Sequence, residues 1–440
     1  MKLRYGKSSI DLEIPKENLL GVVKPIQQSI KPISELLKES VMDPIGAPNL
    51  HNLLRKNKPT DIVIIVSDIT RSISNYSEML KFLVSEIVDA GIDERNIEFM
   101  IALGTHKKHT PEENKILYGD LISDFKFSFH DCHTNYVSLG KTSTNLEVQV
   151  NKRVRDADLV IVTGRINFHY LAGFSGGRKA ILPGISSYAT IKGNHSKLKR
   201  DGVIFGNLHG NIIAQEMDEA SRLFGVDYLL NVIETTDNDT DRIFWGHPEF
   251  AFLEGIKCFI SKRSAQIFEK ADCAIISAGG YPKDRTFYLS HKSLNSAVRA
   301  VKKGGTIVLI AQCSEGVGDD KFQQYMQEYS LDELIDYPEE RIEIGGHRAF
   351  QTAKILKDYK IYVLSDLESE ILTQMHFSHI KNINECISQI KKIYGKKFKA
   401  YVLPNGKSML PVMEKDRTYE VIKKHKGGHD YVNAEVKKTY

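Results

Sequence analysis

The 440-residue chain has little of what would assign it at once to a class. It has few cysteines, and the five present (Cys132, Cys258, Cys273, Cys313 and Cys386) are far apart with no CxxC pair. An odd, scattered set excludes a disulfide framework and points to reduced thiols in a cytoplasmic compartment. No apolar run is long enough to span a bilayer. The opening residues, MKLRYGKSSIDLEIP, lack the apolar core of a secretory signal. A net charge of +4 is small for this length and gives no electrostatic footprint for nucleic acid. No GxGxxG follows a predicted strand and no GxxxxGK[ST] occurs, so the usual dinucleotide and P-loop signatures are missing. Internal repeats and low-complexity linkers are absent too. What remains reads as a cytoplasmic globular protein without nucleic-acid or membrane partners. Its 41% hydrophobic and 26% charged content is ordinary for that class.

Length alone suggests two or three domains. Short β-branched runs end repeatedly in polar or glycine residues: 61–66 (DIVIIV), 96–103 (NIEFMIAL) and 158–162 (DLVIV). Residues 76–90 carry apolar positions at helical spacing, and Thr110-Pro111-Glu112-Glu113 has the form of a capped helix start. Continuous apolar strands alternating with helices predict mostly parallel sheets covered on both faces. A second unit begins near residue 268. It has a strand over 271–277, a helix over 288–303, a strand over 306–311, a helix over 349–357, a strand over 360–364, a helix over 384–394 and a strand over 398–403. The expected architecture is α/β, with an N-terminal domain over 1–267 completed by 404–440 and a C-terminal domain over 268–403. A ligand cleft is expected between the two. The basic stretch from Lys423 to Tyr440 reads as a solvated tail.

Ligands of open α/β sheets gather beyond the carboxyl ends of the strands. Asp68, Thr70, Arg71, His106, Asn167 and His169 all fall just past such ends. Arg71 offers a planar fork for a carboxylate or phosphate. Asp68 could orient that arginine, accept from a sugar hydroxyl or cap a turn. His106 reads equally as a catalytic and as a structural loop histidine, and His109 as a neighbour of a helix start. His130 and His133 flank Asp131 and Cys132, but no second ligand cluster accompanies them, so a metal site there is not favoured. The loop Ala172 to Lys179 (AGFSGGRK), with Ser175, Gly176 and Gly177, allows close backbone approach to an anion. Lys179 at its end could pair with that anion or bond covalently to a cofactor. Asn194 and His195 follow after a short spacer. In the second unit Tyr288 and Lys292 stand four apart, on one helix face.

Together these segments resemble the nickel-dependent lactate racemase family. The resemblance rests on SDITR (67–71), GTHKKHT (104–110), HYLAGFSGGRKAILPG (169–184), the Asn194-His195 pair, and GGYPKD (279–284) with Lys292. It implies a nickel-pincer nucleotide, derived from a nicotinic-acid-type mononucleotide and made by separate cofactor-synthesis enzymes. The family pattern implies that Lys179 holds this group covalently and His195 completes the nickel coordination. Asp68, Ile69, Thr70 and Arg71 would contact nucleotide and substrate, with Ser175, Gly176 and Gly177 in the cofactor loop. His106 and His169 would be the proton-transfer pair, and Lys292 would meet the substrate carboxylate near Tyr288. The implied reaction is racemisation or epimerisation of a small 2-hydroxy acid, and a homo-oligomer is compatible with it.

The chain departs from the family pattern on the substrate side. Leu289 stands where a glutamine often follows the tyrosine equivalent to Tyr288. Lys107 replaces a frequent arginine, and Ser72 a common proline. The cofactor-side positions all match, so the expected substrate is a 2-hydroxy acid other than lactate. Two further readings use the same residues. One is an NAD-type 2-hydroxy acid oxidoreductase, which would need the dinucleotide fingerprint. The other is a non-catalytic protein that binds a hydroxy acid or nucleotide.

Overall fold

The computed structural model describes residues 1–25, 30–341, 343 and 346–413, so the basic tail lies outside the described residues. The chain divides into two compact units, one of Gln27–Ile256 with Ile335–Phe350 and one of Met1–Ile26, Lys257–Leu334 and Gln351–Tyr440. The division differs from the expected domains at both ends. Strand Leu19–Val22 pairs in parallel with Ala400–Leu403, so the chain start completes the sheet of the later unit. Strand Leu410–Val412 pairs with Ser264–Gln266 and groups with that unit as well. A short half-buried strand such as LLGV carries no local signal of which sheet it will join; pairing partners settle that.

The sheet of the Gln27–Ile256 unit has six strands in the order Thr240–Gly246, Tyr228–Glu234, Leu159–Arg165, Ile62–Ser67, Ile97–Ala102, Lys126–Phe129. Only the Thr240–Gly246 edge strand runs antiparallel to its neighbour. Ile62 to Val66 are fully buried, as a parallel strand covered on both faces requires. Helix Tyr76–Asp89 lays Met79, Leu80, Leu83 and Ile87 into the same core as Ile62, Ile64, Phe99 and Leu230. Helix Pro111–Tyr118 starts at Thr110, whose hydroxyl accepts from Glu113 N at 3.2 Å while Glu113 Oε2 accepts from Thr110 N at 2.9 Å. Because neighbouring strands are parallel, their carboxyl ends share one edge. The registers Ser67↔Ala102 and Ile65↔Val162 therefore bring Asp68, His106 and the chain after Arg165 to that edge.

The second sheet is parallel throughout, in the order Ser378–His379, Lys360–Leu364, Val301–Ile310, Ala271–Ser277, Ala400–Leu403, Leu19–Val22. Cys273, Ile275, Val308 and Val402 lie in its core. The helix predicted over 288–303 is shorter and broken. Phe287–Ser290, the turn His291–Ser293 and Leu294–Ala300 succeed one another, and the strand already starts at Val301. Gly304, at φ +82°, and Gly305 are absorbed inside that strand, where the register to Ala271–Ser277 shifts. All five cysteines are free and buried. Among the described residues no helix is long and apolar enough to cross a membrane.

One polar residue interrupts the buried strand Tyr228–Glu234. Asn231 lies opposite Gly164 and its Oδ1 accepts from Gly177 N at 2.7 Å, tying the glycine loop to the sheet. Asn231→Ala leaves that buried N–H without an acceptor. It should lower the unfolding free energy by about 1–3 kcal/mol in urea denaturation. An unchanged midpoint would mean that the tie is dispensable.

Candidate active site

The strand Ile62–Ser67 delivers Asp68 at its end, and Asp68 is buried to 1% exposure. One carboxylate oxygen, Oδ2, takes a short hydrogen bond from His106 Nδ1. The other, Oδ1, accepts from Thr70 Oγ1 at 2.9 Å and lies 3.9 Å from the Arg71 guanidinium. Burial by itself pushes the Asp68 carboxyl up. The His106 hydrogen bond and the Arg71 charge outweigh it, and Asp68 stays below its ordinary pKa. A carboxylate only accepts, so the His106 proton sits on Nδ1 and the lone pair on Nε2. His109 has a different duty: its Nε2 accepts from Ile69 N at 2.9 Å and its Nδ1 bonds Asn114 Oδ1 at 3.0 Å, which fixes the 69–71 turn.

Past the strand Leu159–Arg165 the chain makes a two-residue ladder, Phe168–His169 against Gly173–Phe174, and enters the glycine loop. His169 Nδ1 accepts from Leu171 N at 3.3 Å and from Ala172 N at 3.1 Å. Ser175 N donates to Asn167 O at 2.8 Å and Ser175 Oγ to Arg165 O at 2.8 Å. Lys179 N donates to Gly176 O at 3.2 Å. The amides of 175, 177 and 179 are thus bonded inside the protein, to Asn167 O, Asn231 Oδ1 and Gly176 O, and do not form the expected open anion cradle. The glycines are needed for approach instead. Gly177 has φ +50°, and a Cβ there would lie 2.6 Å from the Phe252 ring.

The loop ends on Lys179, 7% exposed, whose Nζ has no hydrogen-bond partner among the described residues. Burial first, then the charges of Arg71 and Arg178, hold this amine well below its ordinary pKa. Its neighbour Arg178 turns aside to Asp218, with Nε 3.0 Å from Oδ1, and rests 4.7 Å from the centre of the Phe252 ring. His195 closes helix Tyr188–His195. Its Nδ1 is buried and unpartnered among the described residues, and burial, Lys179 and His347 keep the ring well below its usual pKa. Asn194 anchors that helix end through Glu216 Oε2 at 2.8 Å and Ile213 O at 3.2 Å. His169 is likewise held far down by burial, followed by Lys179, Arg71 and Arg348.

Arg71, Lys179, His169 and His195 thus sense one another electrostatically, and Asp68 and His106 join them through Arg71. Tyr288, Leu289 and Lys292 belong to the other unit. There Lys292 Nζ is 5.0 Å from the centre of the Tyr288 ring, as the four-residue spacing predicts, and Leu289 N caps onto Thr286 Oγ1 at 3.3 Å. His130 is structural: it takes an Asn151 amide contact at 3.2 Å on Nδ1 and bonds Ser186 O at 2.9 Å through Nε2. His133 stacks on Tyr188.

Sequence reasoning missed Asn231, Tyr170, His347 and Arg348. Arg348 lies flat on Tyr170, 3.4 Å from the ring centre, and His347 is parallel to the same ring at 5.6 Å. His347 also meets His195 edge-on at 6.5 Å. The local signals were a glycine pair before His347-Arg348 and a lone asparagine inside LLNVIE.

The sheet edge thus gathers a carboxylate–histidine pair and a buried amine whose charged form is disfavoured, groups of the kind an α/β acid–base enzyme uses. Residues 5–203 match the model of the lactate racemase N-terminal domain and residues 267–411 that of the C-terminal domain. The lactate racemase of Thermoanaerobacterium thermosaccharolyticum is 30% identical, over 93% of this chain and 98% of that protein. The lactate racemase of Lactiplantibacillus plantarum is 31% identical, over 92% and 97%. The solved apoprotein of the Thermoanaerobacterium enzyme superposes with a TM-score of 0.86 at 29% identity, covering 93% of this chain and 99% of that one. A Thermotoga maritima protein shares the fold at a TM-score of 0.58 and 16% identity, over 84% and 99%. The chain belongs to the lactate racemase family and is an isomerase of the racemase type.

The depressed histidines make stability depend on pH. Below about 6.5 the unfolded chain binds protons that folded His169 and His195 refuse, so stability is present above that value and lost as pH falls. Each group contributes up to about 1.4 kcal/mol per pH unit in that window, and Lys179 extends the slope to higher pH. Urea denaturation of cofactor-free protein should show a falling midpoint from about pH 7.5 to about pH 5.5, with a shallower fall for His195→Asn. A flat profile would show that these rings are solvated.

Proposed function

We propose that this chain interconverts the two configurations of a 2-hydroxy acid other than lactate, using a nickel-pincer nucleotide. Lys179 would hold that group covalently and His195 would ligate its nickel. Asp68, Ile69, Thr70, Ser175, Gly176 and Gly177 would line its cradle. The observation that carries the reading is the buried Lys179 amine, without a hydrogen-bond partner among the described residues and held well below its ordinary pKa, in electrostatic reach of His195, whose ring is also held well below its usual pKa. A covalent tether needs an unprotonated amine and a metal needs an unprotonated imidazole. Both residues therefore fit the group on chemical grounds.

The Cα–H bond of a 2-hydroxy acid is too weakly acidic for any side-chain base. When bound, the nucleotide supplies a hydride acceptor, which lets Cα lose hydrogen without forming a carbanion. The residues of the chain do the remaining work. Arg71 offers its fork to the substrate carboxylate, and Lys292 is the second cation proposed for that carboxylate. Acid–base handling of the hydroxyl falls to His106 and His169, with Asp68 orienting His106 and stabilising its imidazolium form. Leu289 in place of a frequent glutamine removes a polar contact on the substrate side. This favours a substrate whose side chain differs from that of lactate. The cofactor-synthesis enzymes are the partners that such a protein requires.

The test is production with and without those synthesis enzymes, followed by intact mass, nickel analysis and a screen of chiral 2-hydroxy acids for loss of optical activity. A mass increase that Lys179→Ala abolishes, bound nickel and racemisation of an acid other than lactate are expected. His106→Ala and His169→Ala should each lower the rate by about a hundredfold or more. Loaded protein without adduct, nickel or racemisation would defeat the proposal. Net formation of 2-keto acid with a reduced nicotinamide would replace it with an oxidoreductase.

A further inference from the structure

We propose that Asp284 is a positioning residue for substrate binding: its buried carboxylate sets the place of the segment that carries Tyr288, Leu289 and Lys292, with the hairpin of residues 2–11 as its brace. The assignment rests on the reading above, in which Lys292 meets the substrate carboxylate.

Asp284 follows the carboxyl end of strand Ala271–Ser277 and is fully buried. Its Oδ2 accepts two backbone N–H groups, from Gly6 at 2.7 Å and from Gln312 at 3.1 Å. Gly6 lies 278 residues before it in the chain and Gln312 28 residues after it. One oxygen thus ties the hairpin turn, the loop after Ala271–Ser277 and the loop after Val301–Ile310. The other oxygen, Oδ1, has no hydrogen-bond partner among the described residues, so the anchoring runs through Oδ2.

The hairpin is a firm support. Strand Lys2–Tyr5 pairs antiparallel with Ser8–Asp11, and Leu3 and Leu12 lie in the core of this unit with Ile275 and Val308. Arg4 O accepts from Ser277 Oγ at 2.6 Å, and Gly6 O from Tyr281 N at 2.8 Å. The fit leaves no space for a side chain at Gly280, whose φ is +73°. A Cβ there would lie 2.9 Å from both Arg4 Cβ and Gly6 O.

Beyond Asp284 the chain runs beside residues 313–317. Cys313 N donates to Asp284 O at 2.8 Å and Glu315 N to Arg285 O at 2.7 Å; Phe287 N donates to Gly316 O at 3.0 Å and Tyr288 N to Val317 O at 2.9 Å. This ladder fixes 284–288 against 313–317, and the Asp284 carboxylate fixes both against the hairpin. The segment then enters the short helix Phe287–Ser290, capped by Thr286, and the turn His291–Ser293. Phe287, Ser290 and His291 are buried, whereas Tyr288, Leu289 and Lys292 are half-buried. Phe287 packs edge-on against Phe377 and also meets Phe322. Such apolar packing is non-directional: it selects the covered face and does little against a slip. Directional bonds are needed to place the other face, and Asp284 supplies them at the head of the segment.

The substrate carboxylate takes no part in bond breaking, so a displaced Lys292 weakens ground state and transition state alike. That loss belongs in KM rather than kcat. Asp284→Ala leaves the Gly6 and Gln312 N–H groups without their acceptor, while Asp284→Asn keeps a carbonyl oxygen for both. With loaded protein and the acid that the screen above selects, Asp284→Ala should raise KM about tenfold or more and keep kcat within about threefold. Asp284→Asn should bring KM back to within about threefold of wild type. Hydrogen–deuterium exchange of full-length, cofactor-free protein should be faster across residues 279–293 in Asp284→Ala, close to wild type in Asp284→Asn, and unchanged in strand Ile62–Ser67. If Asp284→Ala does not fold, Ser277→Ala, which loosens the same hairpin at Arg4 O, should show the KM shift at a smaller scale, about twofold to fivefold. A wild-type KM in the folded alanine variant, a loss confined to kcat, or an Asp284→Asn enzyme as impaired as Asp284→Ala would overturn the assignment. Absence of any racemisation by loaded wild-type protein would instead remove the preceding reading, and the exchange pattern would still decide whether Asp284 holds the 279–293 segment.

Discussion

An amine placed among guanidinium groups with no acceptor is the constraint on which the rest of this site depends. Lys179 is buried, unpartnered among the described residues, and faces the charges of Arg71 and Arg178. Such an arrangement is unfavourable for a charged group and tolerable for a neutral one. The Asn231 amide, the backbone carbonyls of 165 and 167 and the ring of Phe252 hold the glycine loop against the sheet edge. The loop's conformation thus serves the side chain at its end more than an anion at its amides.

The same positive field reaches the histidines and sorts them. His169 and His195, both close to Lys179 in electrostatic terms, are kept neutral. His106 instead hydrogen-bonds the Asp68 carboxylate, which stays ionised through that bond and the Arg71 charge. Three imidazoles of one unit therefore sit in different environments without any difference in residue type. The environment, carried by hydrogen-bond partners on the side of each ring away from the reaction, does the differentiating.

Much of this was legible in the sequence because it is local. The runs ending at Val66, Leu103 and Val162 announced parallel strands, and the residues just past them are those gathered at the sheet edge. The Thr110 capping box lies where its sequence puts it. What was not legible depends on distant pairing. Asn231 looks like a flaw in an apolar run until the fold sets it beside Gly177. His347 and Arg348 lie far along the chain from Tyr170, and no spacing rule connects them. The helix expected to reach residue 303 stops at Ala300 because Val301 finds a strand partner in Ala271, a competition that helix propensity alone does not see.

The strand Leu19–Val22 has its partner at Ala400–Leu403, far along the chain. During synthesis the segment Leu19–Val22 leaves the ribosome with its hydrogen-bonding edge unmatched, and stays so until Ala400–Leu403 has followed. Closing so long a loop is slow compared with local contacts. The sheet of the unit that carries Tyr288 and Lys292 therefore gains this strand late, and until then the strand is an orphan edge prone to pairing with other molecules.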